Sequence, residues 1–264
     1  MDIERYLERI GYQGGTDPTI ETLRKLHRRH LLSVPFENLN IPLGRAIELD
    51  LAMIYGKIVG EARGGFCYEL NGLFWWLLSS IGFNVTRLSA RVIRDGTPGP
   101  EFDHLVLLVA LEDRWLVDVG FGDSFLEPLM LDSSEPVVQG DGELRLRPGR
   151  EGITFERRGD TGEWAQRYVF SLLPREYTEY AGMCRHHQTS PESHFTMGWL
   201  STRITPTGRV TVSNGRLIES KGRRRTETEI SGPTECGRLL AKHTGVNLAD
   251  ADLVKLWEAT NHRV

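Results

Sequence analysis

The spacing of apolar residues changes at Gly82, and that change limits the folds open to this chain. Ahead of Gly82, residues Leu70, Leu73, Phe74, Leu77 and Ile81 recur at intervals of three and four, which is one face of a helix. Beyond it, β-branched and aromatic residues follow a period of two, as in strands, and Gly82 is a natural helix terminator. Candidate strands cover 83–94, 102–111 and 114–119, the first two separated by "DGTPGPE" and the last two by Glu112-Asp113.

The rest of the chain follows the same division. Asp2 is placed to cap a short helix bearing Ile3, Tyr6, Leu7 and Ile10, Asp17-Pro18 opens a second, and Asp50 a third. From about 126 to 170 the chain is strand-like but polar and glycine-rich, and predicts a small sheet or barrel; residues 174–193 read as irregular. Asn214-Gly215 centres a hairpin in "TGRVTVSNGRLIES", and two helical stretches run from Thr234 to His262. Helices, then antiparallel strands, then strands with helices predict an α+β chain in three parts rather than a doubly wound sheet.

With 264 residues, 39% of them hydrophobic, a sizeable core is expected. A net charge of -4 provides no basic field for nucleic acid or an anionic membrane. The longest apolar runs, such as "LFWWLL" at 73–78, fall far short of the roughly 20 residues that span a bilayer. Cys67, Cys184 and Cys236 are odd in number and widely spaced, which fits free thiols in a reducing compartment, and the charged N-terminus lacks a signal-peptide pattern. The expectation is a soluble cytoplasmic protein.

Cys67 sits at the predicted start of the fourth helix, where unpaired N–H groups and the helix dipole favour a thiolate. The same N–H groups are suited to an oxyanion. A cysteine nucleophile also needs a base and a group to orient it. His104 in "FDHLVLLV" and Asp118 in "WLVDVGFGDS" are the candidates, each an ionisable residue inside an apolar strand. Together they have the logic of an acyl-transferring Cys-His-Asp site. Simple geometry opposes the pairing: a two-residue turn at Glu112-Asp113 sets Asp118 opposite Leu107, on the face away from His104. A bulge, a longer turn or strand bending is required.

Four stretches, "PFENLNIPL" at 35–43, "RGGFCYELNGLF" at 63–74, "DHLVLLV" at 103–109 and "WLVDVGFGDSF" at 115–125, resemble the arylamine N-acetyltransferase family in order and spacing. The resemblance implies an N-terminal helical bundle (1–82) carrying the nucleophile, a central antiparallel β-barrel (83–193) with the histidine and aspartate, and a C-terminal α/β lid (194–264), around a cysteine-protease-like core. It implies a ping-pong reaction in which Cys67 takes an acetyl group from acetyl-CoA and passes it to an aromatic amine, hydrazine or N-hydroxyarylamine. His104 would be the base and Asp118 its orienting partner. Phe121, Gly122 and Val92 match positions that line the acceptor pocket, and Arg63 with Glu37, beside Asn38, matches a supporting ion pair.

No Gly-rich phosphate loop precedes a helix. "KGRRR" at 221–225 is a possible phosphate patch or simply a solvated face; "CRHHQ" at 184–188 is a poor zinc signature, and no metal is expected. "QTSPESHF" at 188–195 matches a loop pattern of relatives. Three other readings stay open: an amide synthase closing macrolactams in polyketide synthesis, a papain- or transglutaminase-like hydrolase, and a non-enzymatic domain with Cys67 in its core.

Overall fold

A computed structural model gives the fold and describes every residue except 124, 141, 160, 161, 223 and 262–264. Helices α1 (Ile3–Arg9), α2 (Ile20–Ser33), α3 (Leu51–Tyr55) and α4 (Cys67–Ser80) form the first part, with a two-residue strand β1 (Phe36–Glu37) between α2 and α3. Asp2 and Asp50 cap α1 and α3 as expected: Asp2 Oδ1 accepts from the Arg5 N–H (3.2 Å) and Asp50 Oδ1 from those of Ala52 and Met53. Helix α2 starts later than the Asp17-Pro18 signal suggests, because Thr19 takes the cap through the Thr22 N–H at 3.2 Å.

The middle of the chain forms β2 (Asn84–Arg94), β3 (Thr97–Pro98), β4 (His104–Ala110), β5 (Arg114–Val117), β6 (Leu129–Met130), β7 (Val137–Gln139), β8 (Gly142–Gly149), β9 (Gly152–Arg158) and β10 (Trp164–Pro174). They pair antiparallel in the order β6-β5-β4-β2-β10-β9-β8-β7, with β3 on β2. The sheet curls into a half-barrel: its edge strands β6 and β7 do not pair among the described residues. Side chains alternate across it. Leu105, Leu107 and Val109 pack with Leu70, Phe74 and Leu77 of α4, while Val106 and Leu116 face a second core with Phe155 and Tyr168.

Residues 177–197 correct the irregular reading. A 3₁₀ turn (Tyr177–Tyr180) leads into α5 (Ala181–Thr189), followed by α6 (His194–Met197). Tyr177, Tyr180, Cys184 and His187 are the buried positions, at helical spacing, but none is a simple aliphatic, so the pattern is weak in sequence. The last part pairs β11 (Leu200–Thr205), β12 (Gly208–Ser213), β13 (Arg216–Lys221) and β14 (Arg224–Glu229), and packs α7 (Pro233–Thr244) and α8 (Asp250–Asn261) around a third core; the expected end of the last helix, His262, lies outside the described residues. The expected hairpin forms, with Asn214 and Gly215 both at positive φ. Strand β1 adds to the edge of this sheet, with Phe36 opposite Thr202, so the loop before Cys67 is tied to the C-terminal part. No described helix is long and apolar enough to cross a membrane.

Phe74 lies between two buried imidazoles, His27 and His30, with ring centroids at 6.2 and 5.2 Å. Burial pushes His27 down to about 4, against the opposing effects of the Leu126 carbonyl and the Asp118 charge, and pushes His30 well below the ordinary range, helped by Arg9 and His27. Between these folded values and the ordinary value of about 6.5, the unfolded chain binds more protons than the folded one, so stability falls as pH drops through that window. Each histidine contributes up to about 1.4 kcal/mol per pH unit. Urea midpoints should therefore decline from pH 6.5 to about 4.5, and a flat profile there would show that these imidazoles are not held neutral.

Candidate active site

The segment before α4 is held by close packing of backbone. A Cβ on Gly64 would lie 2.0 Å from the Pro35 carbonyl oxygen, so glycine is required where these two segments touch. The Glu37 N–H donates to the Gly65 carbonyl at 2.9 Å. Glu69, at the third position of α4, accepts the Phe66 N–H at 3.1 Å and pairs with Lys57 Nζ at 2.8 Å. Beneath lies the expected Arg63–Glu37 pair, fully buried, with Nη2 and Nε at 2.7 and 2.9 Å from Oε1 and Lys57 Nζ at 3.8 Å. Burial alone would raise the Glu37 carboxyl, but Lys57, Arg63 and the Leu39 N–H together hold it below the usual range. Asn38 reaches across to the C-terminal part, donating to the carbonyls of Phe195 and Gly198 and accepting the Leu200 N–H.

His104 and Asp118 do meet: Nε2 to Oδ2 is 2.9 Å, with both side chains buried. The obstacle seen in the sequence disappears through the turn. Ala110 pairs with Arg114 and Leu107 with Val117, so three residues, Leu111 to Asp113, form the connection rather than two. That shift of one residue turns Asp118 to the face of His104, and Asp118 sits just past the end of β5.

Asp118 Oδ1 also accepts from Asn71 Nδ2 and the Gly120 N–H, each at 2.9 Å. Burial pushes this carboxyl up, yet the His104 charge and these hydrogen bonds hold it below the ordinary carboxylate range. Asn71 donates to the Leu105 carbonyl as well (2.6 Å) and accepts the Val119 N–H (2.9 Å), joining α4 to β4 and to the loop after β5. His27 Nδ1 lies 3.0 Å from the Leu126 carbonyl, which can only accept; the proton therefore sits on Nδ1, and Nε2 accepts the Asp118 N–H at 3.3 Å.

Cys67 opens the first turn of α4 and is almost fully buried. Burial pushes its thiol well above the usual range, and the nearby Cys184, Asp103 and Asp118 add to this. Desolvation thus outweighs the helix N-terminus that the sequence suggests would favour a thiolate. His104 Nδ1 makes no hydrogen bond among the described residues, and Cys67 and His104 line the same cavity of about 350 Å³. Phe121, Gly122 and Val92 line it too, with Phe36 and Phe195 as further aromatic walls.

Sequence reading missed Asn71, His27, Gly120, Lys57 and Glu69. Asn71 had a signal, an amide four residues after Cys67 on an otherwise apolar helix. Elsewhere, Arg225 of the basic run lines a second cavity and pairs with Glu227, while Arg223 lies outside the described residues. Of "CRHHQ", His187 pairs with Asp103 at 3.1 Å and Cys184 receives a bond from Gln188.

Gly120 passes directly over the start of α4: a Cβ there would lie 2.6 Å from Asn71 Nδ2 and 2.8 Å from Cys67 Cα. Gly120→Ala should cost about 1–3 kcal/mol in urea unfolding and disturb the Asp118 network together with Cys67; unchanged stability and activity would show that the loop does not pack this way.

The chain matches the N-acetyltransferase family model over residues 19–254. It is 36% identical over 243 residues to the pineal gland isozyme of arylamine N-acetyltransferase from Gallus gallus, covering 84% of each chain. It is 35% identical over 186 residues to proansamycin X synthase of Amycolatopsis mediterranei, covering 68% of this chain and 71% of that one. The arylamine N-acetyltransferase of Mycobacterium marinum, solved in complex with CoA, superposes with a TM-score of 0.91 at 29% identity, covering 99% of both chains. Matches of this extent place the chain in the arylamine N-acetyltransferase family, and the protein is an acetyltransferase enzyme.

Proposed function

We propose that this enzyme moves an acetyl group from acetyl-CoA to an aromatic amine, hydrazine or N-hydroxyarylamine in two steps through a thioester on Cys67. The observation that carries the reading is that His104, paired with the buried Asp118 at 2.9 Å, lines one cavity with a cysteine at a helix N-terminus. Because burial disfavours a free thiolate at Cys67, the proton has to pass to His104 as sulfur attacks, or rest on the imidazole beforehand. Asp118 on Nε2 leaves Nδ1 as the nitrogen that takes it and stabilises the imidazolium formed. First-turn N–H groups of α4 face the developing oxyanion. CoA thiol leaves with the proton, and a neutral amine, unprotonated at pH 7 because aryl conjugation lowers its basicity, then attacks the acetyl-cysteine; the carbon–sulfur bond breaks, the amine gives up a proton to His104, and Cys67 leaves as the thiol on receiving it.

In this reading residues 1–82 supply the nucleophile, 83–193 the histidine and aspartate, and 194–264 act as a lid, with Phe121, Gly122 and Val92 shaping the acceptor site and Arg63, Glu37 and Asn38 supporting it from beneath. The solved relative in complex with CoA supports the donor. A cavity of about 350 Å³ suits a small aromatic acceptor better than the long chain that a macrolactam-forming enzyme closes.

Incubation with acetyl-CoA followed by intact mass and peptide mapping should show one acetyl group on Cys67, released when an arylamine or hydrazide is added. Transfer retained in Cys67→Ser would overturn the mechanism. His104→Gln and Asp118→Asn should each lower kcat/KM by about 10³-fold or more, with the fold retained by circular dichroism.

A further inference from the structure

The loop that carries Phe121 and Gly122 continues to Asp123, a half-exposed carboxylate gripped by arginines from three strands. Arg157 of β9 and Arg209 of β12 reach Oδ1 at 3.0 and 3.3 Å, and Arg167 of β10 reaches Oδ2 at 3.3 Å. Arg209 also donates to the Gly122 carbonyl and to Thr202 Oγ1. Arg167 lies over the Phe121 ring at 5.4 Å, and its Nε is buried without a hydrogen-bond partner among the described residues. Burial would raise the Asp123 carboxyl, but Arg209, Arg157 and Arg167 hold it below its ordinary range, so it is charged at neutral pH.

Arg167, Arg209 and Asp123 line two cavities at once. One contains Cys67; the other, about 870 Å³, runs outward past the β11–β12 turn at Pro206 to Gly208. For a thioester whose carbonyl lies at Cys67, this neighbouring cavity is the space beside the cluster for the rest of the donor. Two guanidinium groups against one carboxylate leave an excess of positive charge where the cavities join, and a phosphate offers such a fork more charge and more acceptor oxygens than a carboxylate does.

We propose that Arg167 and Arg209, with Arg157 beside them, bind the phosphate groups of the acyl donor, and that Asp123 sets donor affinity by competing with those phosphates for the same guanidinium groups. This rests on the acetyl-CoA reading above. The role makes opposite demands on the two kinds of residue. Removing the carboxylate tightens donor binding and removing an arginine weakens it, whereas a purely structural cluster suffers from either change.

The test compares acetyl-CoA with S-acetylpantetheine, a donor without phosphate, as the ratio of their kcat/KM values, and measures binding of adenosine 3′,5′-bisphosphate by calorimetry. Arg167→Gln should lower the ratio and weaken the bisphosphate, each by about 10-fold, the value of one charge-assisted hydrogen bond. Asp123→Asn should move both the other way. A ratio and an affinity unchanged in both variants, or lowered in both, would overturn the proposal. If the wild-type protein accepts acetyl from neither donor, the acetyl-CoA reading fails instead, and bisphosphate binding in the two variants still decides whether the anion site exists.

Discussion

Asp118 is a charge taken wholly out of water, and the arrangement around it makes that tolerable. An unpaired carboxylate in such a position would cost several kcal/mol or simply be protonated. Here one oxygen faces His104 and the other receives Asn71 and the Gly120 N–H. Because these partners come from β4, α4 and the loop after β5, the carboxylate can stay ionised only when all three are in place. The residue proposed to orient the imidazole is thus also a joint of the fold, and the geometry of the His104–Asp118 pair and the packing cannot be varied independently there.

A second buried charge group lies beneath the segment before Cys67. Arg63, Glu37, Lys57 and Glu69 satisfy one another and two backbone N–H groups, and removing one member of such a pair typically costs about 3–5 kcal/mol. Their effect is positional. Glu69 closes the start of α4, Gly64 lets Pro35 approach, and β1 ties the segment after α2 to the C-terminal sheet. The sulfur is left buried at the helix entrance, where desolvation rather than the helix dipole governs its acidity, which is why the neighbouring imidazole is indispensable to the proposed chemistry.

Much of this was legible in the chain. The change of period at Gly82, the Asp2 and Asp50 caps and the Asn214-Gly215 hairpin each depend on neighbours within a few residues, and each appears in the fold as read. The half-barrel was visible as a run of strands, but whether its edges join depends on partners far apart in sequence. Helix α5 and the 3₁₀ turn before it were hidden because their shared buried face is made of tyrosine, cysteine and histidine. Lys57 and Glu69 carry no signal in the sequence, since nothing local says that a lysine and a glutamate twelve residues apart will be enclosed together.

By itself, then, the sequence determined which residues could do chemistry: an isolated cysteine at a helix start, and a histidine and an aspartate embedded in apolar strands, are properties of local composition and period. Whether they meet was decided by tertiary structure. A three-residue connection in place of two moves Asp118 to the other face of its strand, and that register is set by which side chains the two cores accept, Leu105 and Leu107 on one side and Val106 and Leu116 on the other. Register is a long-range choice because a strand's two faces differ only in what lies across from them.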